Sequence, residues 1–191
     1  MAIEIELKAR VNNPEKTKTI LCNLGTYCYS YEKKDSYWTF PEKDTVRLRI
    51  RSEEKTFPNG ESTLVCIANC KSREMYGEIE VNNEQEFNIT DIDAFEEILN
   101  QLGLKPDIKK EKSGLTWKLD RKTGNIPVLA ELSEVKGLGW FIELEIISNT
   151  KDKYTLEENR SHLLELLELL HIPRDAIEKR PYSELIKISR G

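Results

Sequence analysis

Residues 3–10 read Ile-Glu-Ile-Glu-Leu-Lys-Ala-Arg, apolar and charged in strict alternation. A strand turns successive side chains to opposite faces. Glu4, Glu6, Lys8 and Arg10 therefore share one surface, and Ile3, Ile5, Leu7 and Ala9 share the other. A single strand of this kind reads as half-buried with one wet face. The pattern recurs, however, with the sign of charge sorted by segment. Arg47, Arg49 and Arg51 lie on one face of 45–51, Glu78 and Glu80 recur in 77–82, and Glu143 and Glu145 share a face in 140–148. Lys109, Lys110 and Lys112 cluster just before Leu115. Like charges side by side weaken a sheet, so this sorting predicts a binding surface with two complementary parts.

The chain has 191 residues, one third of them charged and 38% hydrophobic, with a net charge of −5. That suits one folded domain with a real core, including C-terminal helices over about 155–188. The acidic balance argues against binding a nucleic acid duplex, so any basic site must be local. No stretch approaches the length of a membrane span and no signal-peptide core opens the sequence, which predicts a cytoplasmic protein. Cysteines stand at 22, 28, 66 and 70 with no Cys-x-x-Cys pair, and the two histidines, His162 and His171, lie in or just after a leucine-rich stretch. That inventory does not suit zinc. The four cysteines read as reduced, structural thiols.

Strand patterns cover 3–10, 45–51, 62–71, 77–82, 115–120, 127–135 and 140–148, with a weaker candidate from Tyr27 to Phe40. Asn59-Gly60 and Gly124-Asn125 mark turns. Helices are expected at 14–24, opened by Asn13 and Pro14, and at 91–102, stopped by Gly103. A third runs from Thr155, with Glu158 as a capping box, to about Leu170. Short helices follow near 173–178 and 182–188. The order is β-rich with interspersed helices, an α+β chain with an antiparallel sheet.

Paired carboxylates without a thiolate or histidine cluster favour hard cations such as Mg²⁺ or Mn²⁺. Arginine forks match phosphate oxygens, and lysine adds point charge. Together they describe a site for a metal-bound polyphosphate. A closed antiparallel barrel of about eight strands could turn those faces inward around one small ligand. Phosphate loops, dinucleotide fingerprints and Ser/His/Asp sets are absent from the sequence.

Four of these segments resemble the CYTH superfamily of triphosphate tunnel metalloenzymes, which includes class IV adenylyl cyclases and thiamine triphosphatases. Glu4-Ile-Glu-Leu-Lys8 matches its Glu-x-Glu-x-Lys signature, and Val46–Arg51 its arginine strand. Glu134-Val-Lys-Gly-Leu-Gly-Trp-Phe-Ile-Glu-Leu-Glu145 is similar to its glycine turn and second Glu-x-Glu. Arg180-Pro-Tyr-Ser-Glu-Leu-Ile186 resembles its C-terminal tail.

The resemblance implies a closed eight-stranded antiparallel tunnel with helices packed outside. Glu4, Glu6, Glu143 and Glu145 would hold Mg²⁺ or Mn²⁺. Lys8 would contact phosphate and orient the nucleophile, with Glu6 beside it in catalysis. Arg47, Arg49, Arg51, Lys71, Lys112 and Arg180 would bind the polyphosphate, and which two of the three strand arginines are central stays open. Three positions depart from the family pattern: Ser133 where many members place Asp, Gly114 where others carry Arg, and Trp140 in the glycine turn. Glu131, two residues before Ser133 on the same face, becomes the substitute metal ligand.

The implied activity is hydrolysis of a triphosphate (ATP, thiamine triphosphate or tripolyphosphate). Cyclisation of ATP to cyclic AMP is the alternative, and a non-catalytic polyphosphate or nucleotide binder is a third reading, motivated by Ser133. A homodimer, through exposed edges or the Leu163–Leu170 helix, stays undecided.

Overall fold

In the computed structural model the described residues are 3–41, 43–119 and 127–190, with backbone alone over 43–47. The described residues form eight strands and four helices: β1 (Ile3–Arg10), α1 (Pro14–Leu24), β2 (Gly25–Phe40), β3 (Lys43–Thr56), β4 (Ser62–Tyr76), β5 (Ile79–Asn88), α2 (Ile92–Gln101), β6 (Lys105–Leu119), β7 (Val128–Val135), β8 (Gly139–Ser148), α3 (Lys153–Leu169) and α4 (Tyr182–Arg190). A short 3₁₀ turn, Arg174–Ala176, precedes α4. All strand pairs are antiparallel, and they close into a barrel in the order β1-β5-β4-β3-β2-β6-β7-β8.

The barrel is apolar on its outer wall. Ile5 and Leu7 of β1, Ala130 and Leu132 of β7, and Ile142, Leu144 and Ile146 of β8 join one buried cluster with Leu163, Leu164 and Leu167 of α3. A second cluster seats Leu99 of α2 against Trp38 of β2 and Ile50 of β3. These contacts decide which way each strand faces. Moving the pairing by one residue would bring the charges outward against leucine and the leucines into the lumen.

Local signals set the ends. Asn13 caps α1 by accepting from the Lys16 amide at 3.0 Å, with Pro14 at the first helical position. Gly103 turns the chain after α2 at φ 88°. Gly60, at φ 85°, supplies the left-handed position of the β3–β4 turn. The cap of α3 is Asp152 rather than Thr155. Its carboxylate accepts from the Tyr154 and Thr155 amides at 3.0 Å each, so the helix starts two residues earlier than the capping-box spacing suggests.

Other boundaries also move. The lysine run at 109–112 lies inside β6, which starts ten residues before the expected strand. Glu78 sits in the β4–β5 turn, where Arg160 donates to it at 2.6 Å. The expected turn at Gly124-Asn125 falls outside the described residues. All four cysteines are free thiols. Among the described residues no helix is long and apolar enough to cross a membrane.

Leu163 is fully buried where α3 meets the barrel. Leu163→Ala should lower unfolding stability by about 2–5 kcal/mol, read as a lower urea midpoint at unchanged slope.

Candidate active site

Inward-facing side chains surround one cavity of about 330 Å³. Among the described residues its wall carries eight carboxylates and eight cationic side chains, so the lumen is densely charged yet balanced in sign. Unpaired charges in such a place would carry a large desolvation penalty. The structure meets that cost by cross-strand pairing.

Three groups of pairs make up the wall. In the first, Asp35 of β2 is fully buried between Arg51 and Lys110. The Arg51 fork donates to it at 2.7 and 3.0 Å, and the Lys110 ammonium lies at 2.9 Å. Burial alone would raise the Asp35 pKa, but Lys110 and Arg51 hold it well below the usual carboxylate range. Arg49 beside them donates to Asn69 and Glu84 at 2.9 Å each.

In the second group, Glu131 of β7 accepts from Lys33 at 2.8 Å, from Lys112 at 3.0 Å and from the Tyr31 hydroxyl at 2.9 Å. Lys112 also pairs with Glu143. Against the upward push of burial, Lys112 holds Glu143 down to about 2 and, with Lys33, keeps Glu131 well below its ordinary value.

The third group is short of positive charge. Glu6 faces Glu80 across β5 and Glu145 across β8, which places three carboxylates in one row around the barrel. Lys71 pairs with Glu4 and lies 3.6 Å from Glu6. Glu80 is held by Arg73 at 2.6 Å, with Lys8 at 3.8 Å. Burial, then the neighbouring carboxylates, push Glu6 up to about 7. Burial followed by Glu4 and Glu6 push Glu145 up to about 9.

The chain's tail lies across one end. Its Glu178 amide donates to the Lys8 carbonyl at 2.9 Å, and Lys8 Nζ donates to the Arg180 carbonyl at 2.7 Å. Tyr182 then enters the cavity wall, edge-on against Phe141 at 5.0 Å. Lys8, Lys110 and Lys112 stand 4.5, 4.9 and 5.8 Å from its ring centre.

Of the residues singled out in the sequence, Glu4, Glu6, Lys8, Arg49, Arg51, Lys71, Lys112, Glu131, Glu143 and Glu145 all line this one cavity. The side chain of Arg47 lies outside the described residues. Arg180 stands apart. Its guanidinium is half exposed and forks onto Glu178 at 2.8 Å through two nitrogens, so only its carbonyl reaches the site, through Lys8. Glu131 is fully engaged by two ammonium groups and a phenol, which leaves it poorly placed as a metal ligand. The wall also holds Lys33, Asn69, Arg73, Glu84, Glu86, Lys110, Tyr37 and Tyr182. Period two places Lys33 with Asp35 and Tyr37, but Glu32 and Lys34 on the other face are charged as well and conceal the alternation.

The carboxylates Glu4, Glu6 and Glu145 offer oxygen donors only, without histidine or thiolate. Among the described residues no three such side chains are drawn together as a finished metal cage. What fits a hard divalent cation is the charge. Glu6 and Glu145 are opposed in register, and burial first, then the neighbouring carboxylates, raise the pKa of both, which a divalent cation between them would reverse.

The CYTH domain model matches residues 2–182 of the sequence. The chain belongs to the CYTH family. Triphosphate tunnel enzymes of this family are generally divalent-metal dependent. This CYTH protein is 32% identical to "Putative adenylate cyclase MJ0240" of Methanocaldococcus jannaschii, over 96% of the chain and 98% of that protein. Its fold is similar to that of the PH1819 protein of Pyrococcus horikoshii, with TM-score 0.81, 27% identity and coverage of 98% and 99%. The Hippeastrum protein described as "Putative adenylyl cyclase HpAC1" shares the fold at TM-score 0.67 and 14% identity, over 98% of this chain and 96% of that one.

Folded carboxyls with raised pKa values keep protons that the unfolded chain releases above about pH 4.5. The metal-free CYTH protein should therefore lose stability as pH rises from there through 7 and towards 9. Glu145→Gln should remove part of that loss. Its melting temperature at pH 8 should exceed that of the unaltered protein by about 2–4 °C per kcal/mol of repulsion removed. Scanning calorimetry with EDTA at pH 5 and pH 8 checks both the slope and its loss.

Proposed function

We propose that this CYTH protein hydrolyses the terminal phosphoanhydride of a triphosphate in the barrel lumen, with Mg²⁺ or Mn²⁺. The observation that carries the reading is the nature of the wall. It is lined almost throughout by charge, with cations on β2, β3 and β6 facing carboxylates on β1, β5 and β8, and aromatic rings only from Tyr37 and Tyr182 among the described residues. Such a wall suits a polyphosphate chain and a divalent cation better than a nucleobase, which needs apolar or aromatic surface.

Arg49, Arg51, Lys71 and Lys112 would bind phosphate oxygens, exchanging Glu84, Asp35, Glu4 and Glu143 for the ligand. Glu4, Glu6 and Glu145 would hold the divalent cation, which supplies positive charge to the phosphoryl oxygens when bound. Lys8 is anchored by the Arg180 carbonyl, and its remaining N–H groups can orient a water. That water's oxygen forms the new bond to the terminal phosphorus as the bridging P–O bond breaks, and its proton passes to Glu6 or to solvent. The products are phosphate and the shortened chain. Positioned cations stabilise the charge spread over the transferred group.

A second reading is adenylyl cyclase chemistry, supported by the 32% identical Methanocaldococcus jannaschii relative named "Putative adenylate cyclase MJ0240". There the ribose 3′-hydroxyl attacks the α-phosphorus and pyrophosphate leaves. The Hippeastrum protein of the same fold is named for adenylyl cyclase and credited with a dominant triphosphatase activity.

Incubation with tripolyphosphate, thiamine triphosphate and ATP, each with Mg²⁺ or Mn²⁺, separates these readings. Orthophosphate release is the expected outcome. Cyclic AMP with pyrophosphate would favour the cyclase, and tight binding without turnover would leave a binder. Glu6→Gln should lower turnover by about 100-fold or more at an unchanged far-UV spectrum, and full activity in that variant would defeat the site assignment.

A further inference from the structure

Gly114 and Ser133, which depart separately from the family pattern in sequence, are direct cross-strand partners in the barrel. On its other side Gly114 is paired with Tyr31. A β-carbon added at Gly114 would lie 2.7 Å from the Ser133 β-carbon and 2.9 Å from the Tyr31 hydroxyl oxygen. The missing side chain is thus what lets the Tyr31 phenol lie against the wall. The two departures form one local arrangement, and Tyr31 completes it.

The arrangement has a product. Tyr31 is 3% exposed, and its hydroxyl donates to Glu131. Glu131 in turn fixes two ammonium groups, Lys33 at 2.8 Å and Lys112 at 3.0 Å, side by side on paired positions of β2 and β6. Both lysines line the cavity. The Lys33 ammonium also lies 4.1 Å from the centre of the Tyr31 ring, which holds it from the side. An ammonium has three donors. Both oxygens of Glu131 accept from Lys33, at 2.8 and 3.1 Å, and Glu53 lies at 3.5 Å, so a ligand oxygen would take the place of the longer Glu53 contact.

We propose that Lys33 is a phosphate-binding lysine of this cavity, set beside Lys112 by Glu131, and that Tyr31 positions the pair. The proposal rests on the triphosphate reading above and adds a residue and a support to it. It also gives Glu131 a different task from metal binding: it anchors two cations that face the substrate. Where an arginine at position 114 would bring its charge on a long side chain, this chain brings the charge from β2 through Lys33.

Binding of tripolyphosphate is measured by calorimetry in EDTA, so that no metal-dependent turnover intervenes. Lys33→Met should weaken affinity by about tenfold and flatten its dependence on salt, as loss of one charge-assisted contact requires. Lys33→Arg keeps the charge and should stay within about threefold of the unaltered protein. Tyr31→Phe keeps the ring, removes the donor to Glu131, and should weaken binding by about threefold. Lys34→Met, on the exposed face, is the control. Unchanged affinity and salt slope in Lys33→Met, or an equal loss in Lys33→Arg and Lys33→Met, would overturn the role of Lys33 while leaving the triphosphate reading intact. Failure of the unaltered protein to bind tripolyphosphate, ATP or thiamine triphosphate would remove both.

Discussion

Charge turned inward is the constraint on which this architecture depends. A barrel that encloses carboxylates and cationic side chains in equal number is stable only if most of them find partners on neighbouring strands, because isolated ions cannot be taken out of water without severe cost. The strands supply that pairing through their order around the barrel. Acidic β1 and β8 are neighbours, cation-bearing β3 lies beside β2, and Asp35 and Glu131 sit among the cations they neutralise. Among the described residues the lumen cations each have an anionic partner, whereas the carboxylates of Glu6 and Glu145 share one row with few cations. That asymmetry shapes what the lumen can take: a ligand anion can be exchanged for internal carboxylates on one wall, while the carboxylate row of the other suits a cation.

The same inversion explains the helices. When charge occupies the inside, the apolar half of each strand faces out and must be covered. Helix α3 covers β1 and β8, and α2 covers the Trp38 and Ile50 region of β2 and β3. The outer shell is therefore where the fold gains its hydrophobic stabilisation, and the lumen is where it gives some of it up. Such a division is common in sites whose function requires electrostatic strain before the ligand arrives.

Much of this was legible in the sequence where one strand face was apolar. β1 and β8 each alternate cleanly between leucine or isoleucine and charge, so their extent and their inward residues could be read directly. β2 and the first half of β6 could not be read as well, because both faces are polar there: Glu32 and Lys34 flank Lys33, and Lys109 and Glu111 flank Lys110. With no hydrophobic contrast, period two carries no signal: Lys33 and Asp35 stayed hidden, and Lys110 was seen only as part of a lysine cluster. Arg180 shows what spacing leaves out. Its place in a tail that resembles the family's suggested phosphate, yet two residues away Glu178 offers a closer anion, and the guanidinium takes it. Glu131 was placed on the inward face, but sequence spacing cannot show that two lysines from other strands converge on it.

The position of β1 in the barrel has a consequence for how the molecule comes into being. The first strand of the chain lies between β5 and β8, so its partners are made late, one of them more than 130 residues after it. Contacts so distant in sequence form slowly. Until β8 arrives, the cylinder is an open sheet with two raw edges, and Glu4 and Glu6 have no Glu145 across from them. Closing the ring and assembling the cation-seeking row are thus a single event, so a nascent or partly opened chain has no working lumen.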